Sequence, residues 1–474
     1  MPTPVEVMFR RYGARYRWYA AGTMMLGTFS MVLAATIVNV AFPDIMTAFG
    51  LAQDTVQWLA TGFLAAMSGT MLMTAWCVRR FGQRNTYVAA LLLFVVASVA
   101  GGLAARTEVL IASRIAQGAV GGLIQPLAMI TIFAVFPPDQ RGRAMGLYGF
   151  GVVLAPAIGP AVGGWLTEHF GWRAIFFLPV PFCALGALLA PKFIVGQDRR
   201  AERPGFDWLG MTLMCLCLAV LLVAFNQSHR SGFTSVQTVS LFLTAFAAGA
   251  AFLWWESRQR HPLLDLGVFG SRQFAAASLV SFTYGFGLYG TTYLVPLFVQ
   301  TVARYTPTDA GTLLTPAGIA LACVLPLAGW WTDRMSPRHI LLAGLALFAL
   351  SSALFVLASP TTRFWWLAAW LLIGRVGLAM IIPALNAGAL EGLPVEHVGQ
   401  GSGVVNFIRQ LGGAFGVNLL ATLLEWRSLL HRAASGDEIA SRTVAFHESF
   451  AFVALIFLLA AIPAWRMRRE GRSK

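Results

Sequence analysis

Charge is what this sequence has least of. Only 11% of its 474 residues are Asp, Glu, Lys or Arg, against 57% that are hydrophobic, and that ratio excludes an ordinary soluble domain. The twenty acidic residues fall in loops or at helix ends, the nearest to the apolar interior being Asp44, Asp54, Asp207, Asp333 and Glu425. All seven His are in loops. A proton-coupled transporter usually keeps a titratable group in its interior, and none is evident here. Cysteine is scarce as well. Cys77, Cys183, Cys215, Cys217 and Cys323 lie in or beside apolar runs without zinc-ligand spacing, so packed free thiols are expected rather than a metal site or a disulfide framework. No nucleophile–base pair, metal cluster or cofactor motif appears, which argues against an enzyme. The net charge of +14 does not indicate nucleic-acid binding, because the basic residues are scattered through loops between apolar spans.

What is abundant is apolar sequence of membrane-spanning length. Such windows fall at roughly 20–42, 55–78, 86–105, 109–135, 144–166, 174–196 and 207–226, and seven more at 237–256, 273–301, 309–332, 339–358, 364–386, 401–424 and 447–465. The expected fold is an all-α membrane protein with fourteen transmembrane helices. With the N-terminus inside, the cytoplasmic segments hold 23 Lys and Arg and the outer loops eight, so both termini are placed in the cytoplasm. Residues 1–19 carry Arg10, Arg11, Arg15 and Arg17 but lead into an apolar run too long for a cleavable signal, so the first helix is expected to stay as an anchor. The longest outer loop, at 426–447, is polar and mixed in charge, and no chemistry is assigned to it.

Two segments repeat. AWCVRRFGQR at 75–84 aligns with GWWTDRMSPR at 329–338, an offset of 254, and Gly142 and Gly146 match Gly399 and Gly403 at an offset of 257. This predicts two homologous six-helix halves, 1–200 and 261–474, around an inserted helix pair and linkers at 201–260. The stretch at 141–165 is apolar yet carries seven glycines and two prolines. Gly151, Ala155, Gly159 and Gly163 recur every four residues and would let another backbone approach, while Pro156 and Pro160 bend the helix. A bent helix with a small-residue face suits two halves that rock against each other; an ordinary tight helix–helix contact would give the same pattern.

The run from Gly146 through Ala155, Gly159 and Pro160 to Gly163 and Gly164 resembles the helix-5 antiporter motif of the major facilitator superfamily. TIVNVAFP at 36–43, RIAQG at 114–118, DRMSPR at 333–338 and NFIRQLGG at 406–413 resemble, in order, motifs of its fourteen-helix drug:proton antiporter branch, the EmrB/QacA type. The resemblance implies secondary active export of small amphipathic organic compounds from a bacterial cytoplasm across the inner membrane by alternating access. It also implies proton exchange, a role for Arg114 in proton movement with Gln117 beside it as a substrate or coupling residue, an inserted pair outside the transport core, and a latch at Asp333, Arg334 and Arg338 that stabilises one state. A periplasmic adaptor of a tripartite system is a partner the family admits. Two family acids are missing. Ala34 stands where the helix-1 motif has Asp, and Arg79 stands where the first loop motif has its acid.

An Arg at mid-membrane costs roughly 2.5–3.5 kcal/mol on insertion scales, so one found there is read as facing a cavity or a partner. Arg375 lies about eleven residues into the twelfth window and Arg409 about eight into the thirteenth, whereas Arg114 is near enough to the outer end to snorkel. Asn39, Asn386, Asn406 and Gln410 read as buried amides that glue helices or meet substrate. Phe282, Phe286, Tyr289 and Tyr293 share one helical face, which fits substrate stacking or a lipid-facing stripe; interleaved Gly285, Gly287 and Gly290 would permit unwinding. Three intramembrane arginines without an opposing carboxylate leave open, as an alternative, an organic-anion facilitator or importer. A non-transporting membrane sensor ranks last.

Overall fold

In a bilayer every backbone N–H and C=O must pair inside its own segment, so apolar runs of this length have one regular option, the helix. The computed structural model describes residues 4–51, 53–56, 58–196, 205–232, 235–260, 262–391, 393–394 and 397–467, and every regular element among them is helical. A long helix lies on each apolar window. The N-terminal series is α1 (Tyr16–Ile37), α2 (Trp58–Met71 continued by Thr74–Phe81), α3 (Gln83–Gly102), α4 (Thr107–Val135), α5 (Arg141–Phe170) and α6 (Val180–Phe193). Then come α7 (Trp208–Ser231) and α8 (Val236–Glu256). The C-terminal series is α9 (Arg272–Thr301), α10 (Pro307–Arg334), α11 (Pro337–Phe355), α12 (Phe364–Glu391), α13 (Val398–Ser435) and α14 (Glu438–Arg466).

Among the described residues, eleven segments are long and apolar enough to cross a membrane, and thirteen are if the two bent ones, in α2 and α5, each count as one span. The helix outside that count is α9, whose middle is diluted by Thr283, Tyr284, Gly285, Gly287, Tyr289 and Gly290. Most of these are buried against protein, where low hydropathy is tolerated.

The irregularities have local causes. Between Pro156 and Ala161, α5 turns by 40°, where Pro156 and Pro160 each remove a helix hydrogen bond. Between Met71 and Thr74, α2 turns by 58°. The chain leaves α1 at Ile37, tightens through a 3₁₀ turn at Val38–Ala41 and restarts at Phe42–Phe49, with Pro43 in the first turn where its missing N–H costs nothing. That turn leaves Asn39 exposed, not buried as the sequence reading had it.

The stretch at 426–447 is no loop. Helix α13 runs on to Ser435, Gly436 turns the chain in a left-handed conformation (φ +71°), and Asp437 caps α14 by accepting from the N–H groups of Ile439 and Ala440 at 2.9 and 3.2 Å. Arg427 pairs with Glu448 across this hairpin, with His431 at 3.1 Å from the same carboxylate. Polar composition marked the segment as lying outside the apolar core; it did not forbid helix.

The start of α1 and the end of α14 sit at one end of the bundle. Trp18, early in α1, packs on Phe136 just before α5 (ring centroids 5.1 Å), and Trp465, late in α14, lies under Arg338 at the start of α11 (3.6 Å). One large buried cluster runs through both series of helices. Helices α7 and α8 pack chiefly against each other and meet the rest mainly along α2. The cysteines are all free, but Cys215 and Cys323 are exposed rather than packed.

Candidate functional site

At the terminus-bearing end, α5 crosses α10 with backbones in contact. A Cβ on Gly146 would lie 2.4 Å from the Leu325 carbonyl, one on Gly142 2.6 Å from that of Gly329, and one on Gly329 2.3 Å from that of Gly142. Only glycine allows this approach. It brings the end of α10 to the N-terminus of α5, where the first N–H groups lack helical partners and carry partial positive charge. The Asp333 carboxylate accepts from the N–H groups of Gly142 and Arg143 at 2.7 and 2.8 Å. Its neighbours turn elsewhere: Arg334 lies over the Trp330 ring at 3.7 Å, and Arg338 over Trp465.

The remaining small face of α5 points within its own half. Cβ atoms on Gly151, Gly159 and Gly163 would meet Met25 at 2.5 Å, Thr36 at 2.9 Å and Ile37 at 2.5 Å, all on α1, while Gly164 sits at an ordinary 3.8 Å from Val40. The rocking contact expected along Gly151–Gly163 is a tight contact with α1, within the N-terminal series of helices, and the crossing to α10 of the C-terminal series lies one to two turns earlier. The periodicity showed that a backbone approaches; it carried no information about which one.

Arg114 does not snorkel. It is 1% exposed and held inside: its Nε donates to the Leu59 carbonyl at 3.0 Å and its Nη1 to Gln117 Oε1 at 2.8 Å, and the guanidinium lies 4.3 Å over the Phe63 ring. Gln117 passes the chain on to Ser98 Oγ at 2.8 Å. Gly118 makes the enclosure possible, since its Cβ would stand 2.1 Å from the Phe63 carbonyl. Nη2 of Arg114 has no partner among the described residues.

The other two arginines approach the middle of the bundle. Arg375, 8% exposed, donates to Thr292 on α9 at 3.0 Å. Arg409 donates to Asn406, whose amide in turn donates to the Ser402 carbonyl at 2.8 Å and reaches the Met129 sulfur at 2.9 Å. With Ser402 donating to the Pro126 carbonyl at 3.1 Å, this ties α13 to α4 across the halves. Arg409 also lies within electrostatic reach of Tyr148 on α5 and of Tyr284 and Tyr289 on α9. A cation among phenols and amides where α4, α5, α9 and α13 meet can hold a polar or anionic group, and it offers no covalent chemistry. The sequence reading missed Tyr148 and Tyr284. Their signal was an aromatic hydroxyl inside a glycine-rich, membrane-deep stretch.

The aromatic stripe of α9 divides. Phe286 is buried against Phe452, Phe282 packs on Phe415, Tyr289 donates to Gln410 at 3.4 Å, and Tyr293 faces a cavity of about 700 Å³ at the far end of the bundle. That cavity is walled by α9, α13 and α14, with Glu425 and Arg432 at its rim. The glycines of α9 do not unwind it. A Cβ on Gly285 would stand 1.9 Å from the Arg409 carbonyl, and Gly412 and Gly416 return the contact at 2.1 and 2.4 Å from the carbonyls of Phe282 and Phe286.

A profile of the Major Facilitator Superfamily matches residues 24–417. The multidrug resistance protein Stp of Mycobacterium tuberculosis (strain ATCC 25618 / H37Rv) is 31% identical over 401 residues, covering 84% of this chain and 74% of its own. The fatty acid resistance protein FarB of Neisseria gonorrhoeae is 30% identical over 444 residues, 93% of this chain and 87% of its own. In fold, the crystal structure of the human organic anion transporter MFSD10 (TETRAN) superposes with a TM-score of 0.68 at 15% identity, over 94% of this chain and 99% of that one. The helical bundle, its motifs in order and these relatives together establish that the chain belongs to the Major Facilitator Superfamily, a family of membrane transporters rather than enzymes.

Proposed function

We propose that this protein is a secondary active exporter of small amphipathic organic compounds, working by alternating access in the inner membrane with both termini cytoplasmic. In this reading all fourteen helices span, in two six-helix halves (1–200 and 261–474) around an inserted pair within 201–260; the first boundary falls in 197–204, outside the described residues. The observation that carries it is the contrast between the two ends. Asp333 and the glycine crossing hold α5 against α10 at one end, while at the other a cavity of about 700 Å³ lies among α9, α13 and α14. A transporter closed on its cytoplasmic side would hold its two series of helices together in this way. Relatives named for multidrug and fatty acid resistance support export. Energised everted vesicles bearing the protein should accumulate a fluorescent amphipath above the level of empty vesicles; equal accumulation would reject the reading.

Substrate contact is assigned to Arg375, Asn406, Arg409, Gln410 and Tyr289, and coupling to the Arg114–Gln117 pair. Proton exchange rests on family resemblance, with Ala34 in place of the usual helix-1 Asp. Membrane lipid and a periplasmic adaptor are the proposed partners. A second reading, organic-anion transport, is favoured by one observation: Arg114, Arg375 and Arg409 lie inside the bundle, and among the described residues no Asp or Glu is hydrogen-bonded to them. At an effective dielectric of about 20, a unit charge 4 Å from such an Arg interacts by about 4 kcal/mol before desolvation. Anionic and neutral amphipaths should therefore be carried better than permanent cations, and vesicle efflux of one of each decides between them.

A further inference from the structure

The internal repeat makes a demand that the helix-2 loop does not meet. Asp333 caps α5; at an offset of 254 its counterpart is Arg79, and at 257 the residue before α5, Gln140, corresponds to His397, the residue before α13. The crossing itself is repeated. Leu325 against Gly146 becomes Met71 against Gly403, with the Gly403 Cβ position 2.7 Å from the Met71 carbonyl, and Gly329 against Gly142 becomes Ala75 against Gly399 at 3.9 Å. What is missing at the N-terminus of α13 is the carboxylate, and an arginine has taken its place.

The chain brings a carboxylate there by another route. The connector between α8 and α9 passes beneath this crossing. Glu256, 2% exposed at the end of α8, accepts from the Leu264 N–H at 3.2 Å and so fixes the connector at its start. Gln400, in the first turn of α13, donates to the Pro262 carbonyl at 3.4 Å. Next in line is Asp265. One of its oxygens accepts from the Gly267 N–H at 2.8 Å, and the other lies 3.1 Å from His397 Nδ1, on the N-cap residue of α13. Arg79, at the end of α2, lies within electrostatic reach of the same carboxylate. Asp265 thus stands between the end of α2 in one half and the start of α13 in the other, as Asp333 stands between α10 and α5.

We propose that Asp265 is the second cytoplasmic latch of this transporter: a carboxylate supplied by the connector of the inserted pair, held at the α13 N-terminus by His397 and facing Arg79, that replaces the acid the helix-2 motif has lost. Rigid-body rocking, the reading on which this rests, then strains the connector each time the cytoplasmic side opens. This gives α7 and α8 a task, because Glu256 anchors the latch to them. The pair is partly solvent-exposed, so its contribution is modest, of the size of other helix-end charges.

The test uses the full-length protein in liposomes and a Leu297→Cys reporter on the wall of the outer cavity. Its labelling rate by an impermeant thiol reagent is corrected for the five native cysteines with the parent protein. Weakening a cytoplasmic latch lowers the outward-open population, so Asp333→Asn and Asp265→Asn should each slow labelling by about two- to fivefold. Asp265→Glu, which keeps the charge, should label at the wild-type rate and shows that the site tolerates substitution. The Arg79→Asp/Asp265→Asn double variant returns the carboxylate to the helix-2 position and should recover the rate. If Asp333→Asn slows labelling while Asp265→Asn does not, the second latch is wrong and alternating access stands. A slow Asp265→Asn that the double variant fails to rescue also overturns it. Wild-type rates in both single variants would reject the latch together with the reading of the two ends.

Discussion

At the α5–α10 crossing a Cβ on Gly146 would stand 2.4 Å from the opposite carbonyl; at the matching α2–α13 crossing one on Gly403 would stand 2.7 Å from it. One turn nearer the membrane surface the two separate further. Gly142 meets Gly329 with carbonyl against Cα, whereas a Cβ on Gly399 would stand 3.9 Å from the Ala75 methyl. The first crossing then ends on a carboxylate that bonds two backbone N–H groups directly, the second on Arg79. A single methyl and a single reversed charge account for the asymmetry. Duplicated halves need not share the work of closure equally, and the side with glycine on both helices is the firmer one.

The sharpest way to break this comparison is Gly146→Leu. A branched side chain where a backbone passes costs about 1–3 kcal/mol in a tight contact. Transport should be lost while membrane protein levels hold, and Gly403→Leu, at the looser crossing, should retain more activity in the same vesicle assay. Gly159→Leu should behave differently, because Gly159 faces Thr36 within one half. The same steric cost of about 1–3 kcal/mol should appear as a lower melting midpoint in detergent, with the labelling of the outer cavity unchanged. A gating phenotype there would return the whole α5 face to the interface between halves. Asp333→Asn comes next, removing a helix-end charge worth about 0.3–2 kcal/mol and slowing outer-cavity labelling. Smallest is Ala75→Gly, which lets α2 close on α13. It should raise outward-open labelling by less than twofold, about 0.4 kcal/mol or below, and a larger gain would mean that the methyl, more than the charge, sets the asymmetry.

Much of this fold was legible because lipid simplifies the problem. Each apolar window carries helix, eleven to thirteen of the segments among the described residues being long and apolar enough to span, and Pro156 and Pro160 marked a bend. Where the sequence reading failed, the missing information was about partners. The four-residue period of Gly151, Gly159 and Gly163 reported a close approach without saying that α1 makes it. The stripe from Phe282 to Tyr293 shared a helical face, yet two neighbouring helices, α13 and α14, divide it between core and cavity. Asn39 looked buried by its window and was turned outward by the 3₁₀ break before Pro43. Arg114 looked able to reach water, and Gly118 closed that path by admitting the Phe63 backbone. Each of these errors is one of long-range packing, which a period of 3.6 does not encode.

Helix α13 reaches from the inner crossing at Gly403 to the hairpin turn at Gly436 without a break. At 1.5 Å per residue that is a rod of about 50 Å, well over the roughly 30 Å of the hydrocarbon core. A rod pivoted at its base magnifies small rotations. A tilt of about 10° at Gly403 would sweep Gly436 through about 9 Å, more than the width of the crossing that drives it. In the proposed cycle the hairpin is therefore a pointer carried by α13 and α14, braced by the Arg427–Glu448 pair, and a fluorophore at its tip would read rocking at several times the amplitude available at the crossing.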